Sequence, residues 1–243
     1  MNIILHRSFS VSEASEGIKN SIIYPMFDAE NEDVVHRLYL ISGGDTKESL
    51  FAGQIVCDCI KTYFRTFQEN TDMTADFIEK AIRMSEISLS EYQKEFPKKQ
   101  YLTTRLTLFY VASNCIYLCQ IGESYVYQIR NNQIVYRSID SSAARKIQGS
   151  DLPVEIQVTT LKDIQENDQF FICNGRALDF RDEAYICITL SQQNSSEDKL
   201  YQIKDFFMHR YNNHFSALLI PIGEKPKTPS LMQRINTLIY SFV

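Results

Sequence analysis

Residues Leu102 to Tyr136, LTTRLTLFYVASNCIYLCQIGESYVYQIRNNQIVY, decide the fold. Four β-rich runs follow one another there: Leu106 to Ala112, Cys115 to Ile121, Tyr125 to Ile129 and Ile134 to Tyr136. β-Branched and aromatic side chains dominate each run, as pleated, buried segments require. The separators Ser113-Asn114, Gly122-Glu123 and Arg130-Asn131-Asn132-Gln133 are short and rich in turn formers. Loops this short join neighbouring antiparallel strands, so the stretch predicts a meander.

Upstream, Arg37 to Ser42 (RLYLIS) predicts a short buried strand ending in Gly43-Gly44, after forty residues of mixed character. Two amphipathic helices follow. Phe51, Val56, Cys59, Ile60, Tyr63 and Phe67 recur at helical spacing in the first; Ile78, Ala81, Ile82, Ser85, Leu89 and Tyr92 do so in the second. Downstream, strands are predicted at Glu155 to Thr160, Gln169 to Cys173 and Ser216 to Ile222, with helices at Asp182 to Leu190 and Glu197 to Tyr211. Strands in runs with helices in pairs indicate an α+β architecture, with packed sheets covered by helices. Residues 1 to 222 read as one domain. From 223 the sequence GEKPKTP suggests a linker, and Leu231, Ile235, Leu238, Ile239 and Phe242 mark one face of a terminal amphipathic helix.

Composition narrows the function. The 243 residues carry 25 Lys and Arg against 30 Asp and Glu, a net charge of -5, so no basic surplus exists to neutralise a phosphate backbone. No nucleic-acid partner is expected. The longest uncharged stretch, Leu106 to Gly122, is interrupted by Thr107, Ser113, Asn114 and Gln120 and is too polar to span a membrane. The N-terminal apolar run is too short for a secretory signal, so the expected compartment is the cytoplasm. Six cysteines sit in apolar segments without the spacing of a zinc site or disulfide framework, and read as small buried hydrophobes. The four histidines are scattered; His209 and His214 miss the i, i+4 step of a metal pair.

The order of elements resembles the metal-dependent protein phosphatases, the PPM or type 2C serine/threonine phosphatases, over roughly residues 1 to 222. The resemblance rests on short patterns: a strand ending in two glycines that opens a helix pair, Thr103-Thr104 starting the meander, and the turn Gly122-Glu123-Ser124. Two more are a strand preceded by Asn167-Asp168 and closed by Asn174-Gly175, and a last strand rising from a polar turn. It implies a four-layer αββα sandwich of two antiparallel sheets flanked by helix pairs. It also implies two divalent metals that share a hydroxide attacking phosphorus.

Hard cations need anionic oxygen ligands, and here the family's positions depart from its pattern. The Asp of the family's first Asp-Gly falls on Ser42, before Gly43. Its later Asp-Gly falls on Asn174-Gly175, and its final Asp-Asn pair on Asn213-His214, with Ser216 at the following Thr. The N-terminal Arg-Asn-acidic motif fits Lys19-Asn20-Ser21-Ile22, with Asn31-Glu32-Asp33 as a second register. The post-meander motif corresponds to Asp140-Ser141-Ser142, and the family's substrate-side flap is nearly absent. Three anionic ligands replaced by Ser or Asn imply loss of both metals.

The expected function is therefore a pseudophosphatase: no catalytic residue, no metal, and a polar pocket near Ser42, Gly43, Asn174 and Asn213 without an arginine anchor. Such a module binds a protein partner, a phosphorylated segment being one candidate. The alternative is a rebuilt phosphatase using Mg or Mn, with Asp45 and Glu123 as residual acidic ligands and Glu48 and Asp179 as further candidates. Asp45 and Glu48 also read as helix caps, and Asp179 as a solvated helix-start residue. The oligomeric state is not set by the sequence.

Overall fold

A computed structural model describes residues 9–13, 21–25, 37–44, 46–67, 74–95, 102–112, 114–138, 146–148, 153–174, 178–211 and 215–223. Two antiparallel sheets lie face to face. One has the order β1 (Phe9–Glu13), β11 (Phe215–Pro221), β10 (Gln169–Asn174), β6 (Ser124–Arg130), β7 (Gln133–Arg137). The other has the order β2 (Ser21–Pro25), β3 (Arg37–Gly43), β4 (Thr103–Val111), β5 (Ile116–Ile121), β9 (Val158–Leu161), with β8 (Ile147–Gln148) paired to the start of β4. Helices α1 (Lys47–Phe67) and α2 (Ala75–Glu95) cover the outer face of the second sheet, where Leu38, Leu40, Leu106 and Leu108 meet Val56, Ile60, Ile78 and Ile82. Helices α3 (Phe180–Ser191) and α4 (Ser196–Tyr211) cover the first, where Tyr127, Phe171 and Leu219 meet Ile186, Leu200 and Ile203. The sandwich interior holds Tyr39, Ile41, Phe109, Val126, Phe170, Ile172 and Leu218. This is the expected four-layer αββα arrangement.

Layering explains the sequence pattern. A sheet covered on both faces buries both sides of its central strands, so Phe170 to Cys173 of β10 and Leu108 to Val111 of β4 read as unbroken apolar runs instead of alternating ones. In β10, Phe170 and Ile172 face the sandwich interior while Phe171 and Cys173 face the helices.

Three expectations need correction. The stretch Leu102 to Tyr136 is not a continuous meander. β4–β5 and β6–β7 are paired, but β5 and β6 belong to different sheets. The turn Gly122-Glu123, with Gly122 at φ 93°, carries the chain across the sandwich. Loop length alone does not distinguish a hairpin from a corner between stacked sheets. The buried face of α1 is also rotated from the expected one: Ala52, Gly53, Val56, Cys57, Ile60 and Phe64 are buried, whereas Phe51 and Phe67 are 40% and 44% exposed. Small residues there admit the helix close to the sheet, and the aromatics pack laterally, Phe51 on Tyr92 and Phe67 on Tyr63. The strand expected from Glu155 starts only at Val158, because the segment before it runs along α2, where Val154 N donates to Glu86 Oε1 (2.9 Å).

The β6–β7 turn follows expectation, since Asn131 and Asn132 both take positive φ (49° and 64°), as a two-residue hairpin turn requires. Strands β1, β2 and β8 fall in stretches where none was expected. No helix among the described residues is long and apolar enough to cross a membrane. The linker and terminal helix at 223–243 lie outside the described residues beyond Gly223.

Candidate functional site

One end of the sandwich gathers the family-like positions: β3 finishes there, β5 hands over to β6, and β10 finishes beside β11. We call it the site end. Along β3, Leu38 and Leu40 face the helices while Tyr39 and Ile41 face the interior. The alternation puts Ser42 on the helix side and Gly43 on the interior side.

Ser42 is fully buried. Its hydroxyl donates to the Arg105 carbonyl oxygen (2.7 Å) and lies 2.9 Å from Thr104 Oγ1, which itself reaches the Gly43 carbonyl at 3.2 Å. Helix α1 seals this group with Gly53. A Cβ there would stand 2.9 Å from Ser42 Oγ and 3.1 Å from Thr104 Oγ1, so a glycine is needed for the close approach. The nearby Cys57 thiol is pushed up to about 12 by burial, against a smaller opposing pull from its hydrogen bond with Ser42. Ser42 thus belongs to a closed hydroxyl network between strand and helix.

On the interior side, Gly43 pairs with Arg105 of β4. Arg105 follows the parity of Thr107, Phe109 and Val111, and its guanidinium lies 3.4 Å from the carboxylate of Glu123 on the crossing turn. The Arg105 side chain is 14% exposed and that of Glu123 38%. One layer deeper, Thr107 Oγ1 donates to Ser124 Oγ across the two sheets (2.6 Å), and Gln120 Nε2 donates to the same oxygen (3.1 Å) and to Ser124 O (2.8 Å). Position 174 pairs with Ser124 on one side and Ser216 on the other.

The sequence-predicted residues separate into groups. Ser42, Gly43 and Glu123 share the site end, and the backbone of Asn174 does too; the Asn174 side chain lies outside the described set. Asp45, Asn213, Asn20, Asn31 to Asp33 and Asp140 to Ser142 lie outside the described residues except for Ser21 and Ile22, which form part of β2. Among the described residues Thr46 caps α1, its Oγ1 accepting from Ser49 N (3.1 Å), while Glu48 lies inside the first turn. Asp179 is the N-cap of α3 in a reciprocal capping box with Asp182. Its pKa is lowered, chiefly by the hydrogen bond from the Asp182 N–H. Arg210 of α4 holds it at 2.7 Å, so Asp179 is committed to the helix start.

Arg105 is the residue that sequence reasoning missed, and it corrects the expectation of a site without an arginine. Its parity with Thr107 and Phe109 was the available signal. The described residues do not fit a pair of divalent metals. Ser42 is neutral and internally bonded, Glu123 is matched to a guanidinium, and among the described residues no group of three His, Cys, Asp or Glu comes together.

No family model and no curated protein matches the chain. Solved structures do match. The serine/threonine phosphatase PstP/Ppp of Mycobacterium tuberculosis superposes with a TM-score of 0.72 at 14% identity, covering 90% of this chain and all of that one. The PPM Ser-Thr phosphatase MsPP of Mycobacterium smegmatis, solved with cacodylate, gives 0.64 at 12% identity over 89% and 98%. RsbX, solved with magnesium, gives 0.63 at 11% over 91% and 100%. The likeness is one of fold: this chain has the PPM-type, phosphatase 2C-like fold.

Proposed function

We propose that this chain is a non-catalytic phosphatase-like domain, a pseudophosphatase that works as a binding or regulatory module in signalling and holds no resident Mg or Mn. The observation that carries the reading is the Arg105–Glu123 pair at the site end, beside a glycine, with the neighbouring Ser42 hydroxyl turned into the strand–helix seam. A fixed cation and its counter-charge stand where hard-metal chemistry would need a surplus of carboxylates. The positions Ser42, Gly43, Asn174 and Asn213 are then the remnant of a metal site. Residues 1–222 form the module, with 223–243 as linker and terminal helix. A protein partner, reached at this end and phosphorylated, is the ligand class that suits the Arg105 guanidinium; the net charge of -5 speaks against nucleic acid. All six cysteines are free thiols, which supports a reducing, cytoplasmic setting.

Hydrolysis of an aryl phosphate by the full chain in millimolar manganese tests this. Turnover equal to a protein-free manganese control is expected. Turnover that Glu123→Ala abolishes would overturn the reading in favour of a rebuilt metal-dependent phosphatase.

A further inference from the structure

Helix α2 buries Ile78, Ala81, Ile82, Ser85 and Leu89 against the rest of the domain and turns another face outward. Asp76, Lys80, Met84, Ile87, Glu91 and Lys94 are exposed, and their three- and four-residue steps place them in one stripe down the helix. From Lys80 onward the steps alternate four and three, the spacing of a helix-pairing seam. The centre of the stripe is apolar, with Met84 and Ile87 45% and 49% exposed. No ion pair among the described residues uses Asp76, Lys80 or Glu91, whereas Arg83 on the flank is engaged with Glu86 (2.8 Å) and Glu79 (3.5 Å). Read by sign, the stripe runs minus, plus, apolar, apolar, minus, plus. Laid against its own reverse it is complementary at every step: Asp76 meets Lys94, Lys80 meets Glu91 and Met84 meets Ile87. Laid against itself in parallel, each charge meets its like.

We propose that this outward stripe of α2 docks on the same stripe of a second copy of the chain, with the two helices antiparallel about a two-fold axis that passes between Met84 and Ile87. The inference is independent of the non-catalytic reading, because the stripe lies on the outer helix layer and uses no residue of the site end. A two-fold contact makes each interaction twice. Met84 packs on Ile87 of the copy and Ile87 on its Met84, while two Lys80–Glu91 pairs flank the apolar centre and fix direction and register. Helix α1 brings Asp58 to the outer surface as well, but Lys61 (3.8 Å) and Gln54 Nε2 (2.7 Å) match it within its own chain, which offsets repulsion between copies. The chain's own terminal segment suits the stripe less well, since residues 231–242 hold a single charge, Arg234, to set against four. A single seam of this size makes a weak, reversible dimer.

Sedimentation of the full chain from about 5 to about 500 µM tests this, with an expected dissociation constant of about 10–100 µM for the dimer. Ile87→Asp removes the apolar centre twice over and is expected to weaken the dimer by about 10-fold or more. Lys80→Glu and Glu91→Lys each set like charges against one another in both copies, and each is expected to weaken it by about 10-fold. The two exchanges combined restore opposite signs across the axis and are expected to bring the constant back to within about 3-fold of the parent value. That recovery matters because a misfolded protein does not regain a partner; melting of each variant at low concentration supplies a second control of folding. A parent chain that stays monomeric at about 500 µM would overturn the proposal, whether its stripe is covered by its own tail or left bare. A dimer indifferent to Ile87→Asp would overturn the assignment to α2. A combined exchange as weak as its single variants would overturn the antiparallel register.

Discussion

The two ends of the sandwich treat charge in opposite ways. At the far end, where β6 finishes and β10 begins, Asp168 is completely buried. It receives Arg130 Nε (2.7 Å), Arg130 Nη2 (3.0 Å), Gln128 Nε2 (2.7 Å) and the Gln165 N–H (2.8 Å). The segment is closed by Ile222 N to Asp168 O (2.8 Å) and Asn167 N to Ile222 O (2.9 Å), so the Asp168 carboxylate holds β6 to the start of β10 while its backbone holds the exit of β11. At the site end the buried polar groups are hydroxyls, Ser42 with Thr104 and Thr107 with Ser124, and the carboxylate of the ion pair, Glu123, is partly exposed. The chain therefore keeps a buried carboxylate where it organises the fold. It keeps none among the described residues where a metal-dependent enzyme would need several.

Removing the far-end anchor should have the largest effect. Asp168→Ala takes the buried carboxylate from Arg130 and Gln128, leaving them their bonds to Asp163 alone, and is expected to cost about 3–5 kcal/mol in urea unfolding; a loss below about 1 kcal/mol would erase the contrast. Ser42→Asp comes next. It restores the family's residue type in a sealed seam that offers a carbonyl and a hydroxyl, and should cost about 2–4 kcal/mol without making the melting temperature respond to manganese. A manganese response in that variant would show the position to face the cleft. Gly53→Ala forces a methyl against Ser42 and Thr104. Overpacking of about 1–3 kcal/mol, offset by about 1 kcal/mol of helix propensity, leaves a loss of about 0–2 kcal/mol; a gain in stability would mean the seam is loose.

The smallest effect depends on pH. The hydrogen bond from Arg130, then that from Gln165, holds the exposed Asp163 carboxyl below its ordinary range. A depressed folded value means that its contribution is present above the unfolded pKa of about 3.9 and is lost as pH falls through the folded one. Asp163→Asn should thus lower stability slightly at neutral pH and leave it unchanged near pH 2. An equal loss at both would remove Asp163 from the far-end network.

Much of this was legible in the sequence, and the failures have physical causes. Helices α1 to α4 and strands β3, β7 and β10 were visible because their apolar periodicity is dictated by one or two covered faces. β1 and β2 were not, since FSVSE and SIIYP are short edge segments whose pairing partners lie far along the chain. The corner at Gly122-Glu123 was mistaken for a hairpin because two stacked sheets and one flat sheet demand the same turn residues. At the site, the loss of carboxylates at Ser42 and Asn174 was readable from residue type alone. Whether Ser42 faces the cleft was also within reach, through its parity with Leu38 and Leu40. The role of Arg105 needed register, because only the pairing with Gly43 and the crossing turn bring it to Glu123.

Calorimetric titration of manganese into the full chain tests the central claim most directly. The account predicts no saturable binding tighter than about 1 mM, with or without Arg105→Gln. Two sites filling at micromolar manganese in the unaltered chain would contradict it.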